Sequence, residues 1–254
     1  MKRSHLPCVI AICLAILFTN NLFSQTSFAE SQKAFTKGIV SNKLEDTLKQ
    51  QFKDKKLSWP PQAVYIRSFK YDRLLELWVK NKNVDSFTLF KTYNVCMQSG
   101  SIGPKRSEGD SQVPEGFYYI NEFNPHSTYH LALGLNYPNA SDKVLSDAKK
   151  PGGDIYIHGN CVSVGCIAIQ DMPIEEVYTL ASIAKSSGQD FIPVHIYPVN
   201  YSIKKSLDYL TESIKGKQAV NKSILNIKAV YDYFQKKKKL PVFIVTKTGD
   251  YIII

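Results

Sequence analysis

Cysteine is scarce in this sequence: there are five in 254 residues, and no two are spaced as a C-x-x-C pair. That excludes a scaffold built from disulfides, and an odd number cannot all pair with one another. Long apolar runs are missing too. The longest, residues 6–18, has 13 residues, short of the roughly 20 needed to cross a hydrocarbon core. There is no internal repeat, and glycine (13) and proline (12) are at ordinary levels with no triplet period, so collagen and low-complexity classes fall away. Acidic residues are the minority, 22 against 32 lysines and arginines, for a formal charge of +10. Such a chain is drawn to anionic surfaces, whether wall polymers, phospholipid headgroups or nucleic acid. What is present is a hydrophobic content of 44%, enough to bury a core of one generous domain or a domain with appendages.

The start of the chain reads as an address. Met1-Lys2-Arg3 gives a positive beginning, the apolar run follows, and Ser27-Phe28-Ala29 supplies small residues at the −3 and −1 positions of a cut. This is the anatomy of a secretory signal peptide over residues 1–29. Ile12 stands before Cys13 where a lipoprotein site needs a small residue, so that reading is rejected. Cleavage removes Lys2 and Arg3 and no acid, leaving a formal +8. Export makes nucleic acid the least suitable partner, and the expectation is none.

Hydrophobic periodicity divides the rest. Leu44, Leu48 and Phe52 recur at four-residue spacing and predict a short amphipathic helix over 41–52. Strands are predicted at 64–69 and 74–79 around a turn at Lys70-Tyr71-Asp72-Arg73, then at 86–95, 117–120, 129–135, 154–158, 166–169 and 191–197, with a polar loop over 98–116. Many short strands suggest a sandwich or barrel-like core. One helix interrupts them from Asp171, with Ile174, Val177, Ala181 and Ala184 as its inward stripe and Gly188 as its stop. After Pro198 the pattern is helical, with stripes Ile203, Leu207, Leu210, Ile214 and Ile224, Ile227, Val230, Phe234, and residues 242–254 form a hairpin around Lys247-Thr248-Gly249-Asp250. The run Lys236-Lys237-Lys238-Lys239 reads as a solvated linker.

The chemistry-bearing stretch is Ile157-His158-Gly159-Asn160-Cys161-Val162-Ser163-Val164-Gly165-Cys166-Ile167. His158 ends one predicted strand and Cys166 begins the next. Antiparallel pairing would place them opposite each other, with Cα atoms roughly 4.5–5.5 Å apart. An imidazole at that distance can draw the proton from a thiol. Gly165 would let its own amide and that of Cys166 point at a developing oxyanion. Rival readings stand beside this one. Cys166 fits a buried small hydrophobe. His158, Cys161 and Cys166, with His130 or His195, fit a zinc site, although H-x2-C-x4-C lacks the usual paired hook. A Cys161–Cys166 bridge would leave no nucleophile, whereas a Cys96–Cys161 bridge would leave Cys166 free.

His158-Gly159 followed by Ser163-x-Gly165-Cys166-Ile167 resembles the signature of the L,D-transpeptidase catalytic (YkuD-type) family, H-G…[ST]-x-G-C-[IV]-R, and is closest to its YafK-like branch. Similar segments are Ser99-Gly100-Ser101-Ile102-Gly103-Pro104-Lys105, residues 108–118, and Leu135-Asn136-Tyr137-Pro138-Asn139. The resemblance spans roughly residues 64–198. It implies an α+β fold with a mainly β catalytic core, an L,D-transpeptidase-type β-sandwich, and helices at both flanks. It implies Cys166 as nucleophile, His158 as general acid/base and the Gly165 amide in the oxyanion hole. The substrate it implies is a peptidoglycan stem peptide, whose position-3 acyl group passes to another stem, to a wall-attached protein or to water. No cofactor and no metal is expected. Most members carry arginine two residues after the cysteine, and this chain has Ala168 there.

The expected division is a signal peptide at 1–29, a helical extension at 30–61, the catalytic domain at 62–199 and a helical extension with terminal strands at 200–254. His130, Tyr137 and Ser163 are further candidates for substrate contact, although Ser163 equally fits a turn-fixing role. Asp110 and Glu115 are candidates for steering a cationic amine. The competing functions are an L,D-amidase or endopeptidase cutting the same linkage, and a wall-binding or zinc-stabilised module without turnover.

Overall fold

The structure, a computed structural model, describes residues 42–254, so the signal-peptide expectation lies outside the described residues. Helix α1 (Asn42–Asp54) carries Leu48 and Phe52, both fully buried. A helix of this length is marginal alone, and full burial of those two side chains contributes about 3–6 kcal/mol, which fixes it against the core. Strands β1 (Ala63–Phe69) and β2 (Leu74–Lys80) form the expected hairpin around residues 70–73, and β3 (Thr88–Asn94) pairs outside β2. The short β4 (Met97–Gln98) leads into the polar loop, which ends at β5 (Gly116–Asn124). There follow β6 (Ala132–Leu135), a short helix α2 (Ala140–Leu145), β7 (Tyr156–His158), β8 (Ile167–Ala168), helix α3 (Asp171–Ser186) and β9 (Pro193–Tyr197). The chain closes with α4 (Lys204–Ser213), α5 (Gln218–Lys237) and the hairpin β10 (Phe243–Val245) and β11 (Tyr251–Ile253).

Nine strands make one curled sheet in the order β3-β2-β1-β9-β5-β6-β7-β8-β4, with β10 and β11 as a separate pair. Strand β5 is shared by both halves of the sheet, pairing with β9 over Gly116–Tyr119 and with β6 over Ile120–Asn124. Both halves feed one core: Val64, Ile66 and Val194 from one side and Leu133, Ile157 and Ile167 from the other pack with Ile174, Val177, Ala181 and Ala184 of α3. This is the mixed α+β architecture, with a mainly β core and flanking helices, that the family resemblance implied. The inward stripe of α3 is buried as predicted, and so are Ile224, Ile227, Val230 and Phe234 of α5. Helix α2 and strand β4 had no signal in the sequence: one has six residues and the other two, too few for a period to appear.

Beneath α5 lies a buried polar centre. Arg67 is 2% exposed, and its Nε and Nη2 both donate to Glu76 Oε2 at 2.7 Å. The Trp78 indole N–H donates to the same oxygen at 2.8 Å, which makes Trp78 part of the packing. The rings of Phe69, Trp78, Tyr231 and Phe234 surround the guanidinium at 4.8–5.3 Å. Nearby, His195 Nδ1 lies 2.9 Å from the Tyr65 hydroxyl and 3.2 Å from that of Tyr197.

Candidate active site

The strand that ends at His158 and the strand that follows Cys166 run parallel. Ile157 lies beside Ile167 and His158 beside Ala168, which corrects the antiparallel pairing expected from the short loop. The loop does not turn back as a hairpin. It crosses over, and Cys166 enters one residue before β8, level with Tyr156. Cys166 and His158 therefore face the same side of the sheet two residues out of step, rather than opposite each other.

The crossover is pinned at several points. A cysteine bridge joins Cys161 to Cys96, with Cα atoms 5.7 Å apart, inside the usual range. Asn160 takes a left-handed conformation (φ +56°), and its N–H donates to the Asp171 carboxylate at 2.6 Å. Gly159 passes so close to Asp171 Oδ1 and the Tyr129 carbonyl that a Cβ would stand 2.7 Å from each. The Ser163 hydroxyl accepts the Cys166 N–H at 3.0 Å and donates to the Cys166 carbonyl at 2.7 Å. Gly165, at φ +108°, donates its N–H to the Ser99 hydroxyl at 2.6 Å. The two amides expected to meet an oxyanion are thus both engaged by serine hydroxyls in this state.

His158 is 1% exposed, and its Nδ1 sits 2.7 Å from the Gly159 carbonyl. A carbonyl only accepts, so Nδ1 carries the proton and Nε2 keeps its lone pair. Burial pushes the imidazole below its ordinary 6.5, and the carbonyl bond offsets this in part. The ring is neutral at neutral pH, packed at 4.8 Å against Tyr129. Cys166 is a free, partly buried thiol. Its Sγ donates to the Asp154 carbonyl at 3.5 Å. Burial and the Asp154 carboxylate raise its pKa above 9.0, while the Tyr156 N–H pulls it down. His158 and Cys166 share one cavity of about 360 Å³, whose wall also holds Tyr129, Asp154 and Tyr156 and carries no lysine or arginine. The resting state is therefore a neutral imidazole beside a neutral thiol, with a bare nitrogen available to take the thiol's proton.

The other sequence candidates sort by place. His130 lies in the turn before β6, not on a strand, at φ +74°; its Nε2 is 2.7 Å from Glu175 Oε1, and it is not part of the cavity wall. Tyr137 is buried, its hydroxyl donating to the Pro151 carbonyl at 2.9 Å, and it lines an adjoining cavity of about 240 Å³ that also reaches Asp154 and Tyr156. Asp110 and Glu115 are elsewhere. Burial opposes ionisation of Asp110, but the Lys105 ammonium at 2.7 Å and three backbone N–H groups hold its pKa at about 2. Glu115 is buried against Lys70 at 3.0 Å. Neither steers a ligand to Cys166. The zinc reading fails because Cys161 is bonded to Cys96, and among the described residues no three ligand-type side chains gather around a common point. Ala168, two residues after Cys166, is fully buried.

Sequence reasoning overlooked Ser99, Tyr129, Asp154 and Tyr156. Ser99 lay inside a segment that carried the resemblance, and Asp154 and Tyr156 flank the strand that delivers His158. Their contribution is through backbone groups, a hydroxyl and a ring face, which leave no spacing signal.

Comparison with known proteins agrees with the geometry. Residues 63–200 match the model of the YkuD family, the L,D-transpeptidase catalytic domain. The chain is 31% identical over 247 residues to "Putative L,D-transpeptidase YafK" of Escherichia coli K12, covering 96% of this chain and 89% of that one. Among solved structures, the helical cell shape determining protein Pgp2 from Campylobacter jejuni aligns at TM-score 0.43 and 25% identity over 54% of this chain and 48% of that one, about half its length. Bd1075 from Bdellovibrio bacteriovorus aligns at TM-score 0.39 and 19% identity, over 70% and 63%. On the family match and the identity across nearly its whole length, this chain belongs to the L,D-transpeptidase catalytic domain (YkuD) family.

Proposed function

We propose that the chain is an exported, periplasmic peptidoglycan L,D-transpeptidase that works by cysteine acyl transfer at position 3 of stem peptides. The observation that carries this is the pairing in one cleft of Cys166, the one free thiol among the described residues, with a neutral His158 whose Nε2 is unengaged. The thiol turns from the Asp154 carbonyl to Nε2 and gives up its proton. The thiolate attacks the carbonyl of residue 3, and the imidazolium returns the proton to the leaving amine of residue 4, giving a thioester. An acceptor amine then attacks the thioester and regenerates the thiol. The Gly165 and Cys166 amides serve the oxyanion by exchanging their serine partners for the acyl oxygen. Acceptors on this reading are a second stem or a wall-attached protein.

Hydrolysis of the same thioester is the second reading, and one observation favours it. The family arginine position holds the buried Ala168, and the cleft wall has no lysine or arginine to hold the carboxylate of an incoming stem. Incubation with purified tetrapeptide muropeptides, followed by mass analysis, tests both. New dimers support transfer, tripeptides formed with free D-alanine support hydrolysis, and unchanged substrate contradicts acyl transfer altogether.

A further inference from the structure

The terminal hairpin is apolar on both faces. Its inner face, Phe243, Val245, Tyr251 and Ile253, packs into the core formed by α4, α5 and the outer side of the sheet. A strand pair with one packed face normally turns polar residues to the solvent. Here the outer face is Val242, Ile244, Ile252 and Ile254, which are 66%, 50%, 48% and 72% exposed. Ile244 and Ile252 are cross-strand partners, and the Ile254 N–H donates to the Val242 carbonyl at 3.0 Å. The four branched side chains therefore form one continuous patch. The hairpin is also fixed in place. Asn226 of α5 bonds both the N–H and the carbonyl of Tyr251, at 2.6 and 2.9 Å, and Ser141 donates to the Gly249 carbonyl at 2.6 Å.

Positive charge is concentrated in the stretch of chain that ends in this hairpin. After residue 200 the chain has eleven lysines and four acidic residues, so this last fifth holds seven of the ten net positive charges. Lys236, Lys237 and Lys247 lie just before and within the hairpin and have no acidic partner among the described residues. The hairpin's one acid, Asp250, is paired with Lys222 at 2.9 Å.

We propose that the outer face of this hairpin, with its neighbouring lysines, docks on the surface of an anionic phospholipid bilayer. Aliphatic side chains entering the boundary of the acyl region and lysines against acidic headgroups are the two signals that together give reversible interfacial binding. A soluble polyanion would use the lysines and leave the aliphatic patch unexplained. A second copy of the chain is a poor occupant, because four half-exposed side chains fall well short of the roughly 800 Å² per partner of a stable interface.

The test uses the full chain with Ile252→Trp, mixed with phosphatidylglycerol–phosphatidylcholine vesicles whose acyl chains carry bromine as a fluorescence quencher. The hairpin is read as the quenching of Ile252→Trp in excess of that of the wild type, whose Trp59 and Trp78 supply the background. The expected result is roughly twofold or greater quenching on the anionic vesicles and none on pure phosphatidylcholine. The signal should fade at about 0.5 M salt, where the screening length is below about 5 Å. Lys236→Gln combined with Lys237→Gln and Lys247→Gln should remove it in the same way. No quenching on anionic vesicles overturns the proposal. So does quenching unaffected by salt and lysine removal, and so does a dimer in sedimentation that Ile244→Ser with Ile252→Ser dissolves.

Discussion

Two histidines in this protein are buried almost equally, His158 at 1% and His195 at 3% exposure, and burial depresses both imidazoles. Their surroundings differ in one respect. His195 lies between the hydroxyls of Tyr65 and Tyr197, within the field of Arg67, in a region with no free thiol. His158 spends its Nδ1 proton on the adjoining carbonyl and keeps Nε2 open to a cavity that also holds Cys166. Burial and a shifted pKa do not separate a structural histidine from a reactive one; an unspent lone pair facing a nucleophile does.

Exchanging the two roles gives the largest effect. His158→Gln should lower kcat/KM on tetrapeptide stems by about 10²–10⁴-fold, the usual worth of a positioned general base, with little change in the urea midpoint. His195→Ala should do the reverse. It removes the ring nitrogen that the Tyr65 and Tyr197 hydroxyls both approach and leaves a cavity in its place, costing about 2–3 kcal/mol in urea unfolding, with turnover per folded molecule retained. If His195→Ala silences the thiol chemistry and His158→Gln does not, the comparison is broken.

Acid should expose the same contrast. His195 is held neutral with its pKa pushed down to about 3, chiefly by burial and then by Arg67. The unfolded chain takes up a proton near 6.5 and the folded one does not, so this contribution is fully present above that pH and is lost as pH falls towards 3. The difference amounts to roughly 5 kcal/mol. His158 has a shift of the same sign. Asp142 opposes it, because burial raises its carboxyl to about 6. The contribution of His195 is isolated by comparing the pH dependence of urea unfolding in the wild type with that in His195→Phe, whose profile should be flatter between pH 6.5 and 4. Identical slopes would count against the buried-neutral description.

The bridge between Cys96 and Cys161 sharpens the comparison from the other side, since it fastens the crossover loop and not the His195 centre. It closes a sequence separation of 65 residues, and loop entropy gives an upper figure of about 4 kcal/mol for such a closure. Of the three described cysteines, a native thiol titration should find one, at Cys166, and a titration after reduction three. Mild reduction should slow thioester formation before it unfolds the chain. A single native thiol mapped to Cys96 or Cys161 would contradict the assignment of the nucleophile.

Much of this was legible in the sequence. The stripe of α3, the β1–β2 hairpin and the terminal hairpin follow from periodicity and turn residues, because each carries its own apolar period or turn signal within a short span of chain. The segment 157–167 announced its chemistry by residue type. The parallel relation of β7 and β8 was not legible. A loop of seven residues between His158 and Cys166 ordinarily makes a hairpin, and only the left-handed Asn160 and Gly165, the bridge to Cys96 and the Asp171 contact reveal the crossover. His130 was misplaced on a strand for the same reason: its tie to Glu175 is 45 positions away, beyond any local pattern.

The central claim is that Cys166, served by His158, takes an acyl group from a stem peptide. Intact-protein mass measurement after rapid quenching with a tetrapeptide stem tests it most directly. The expected result is a mass increase equal to the tetrapeptide stem minus D-alanine, carried by the fragment containing Cys166 and absent from Cys166→Ala. An unmodified protein under conditions of substrate turnover, or an adduct mapped to another residue, would contradict the account.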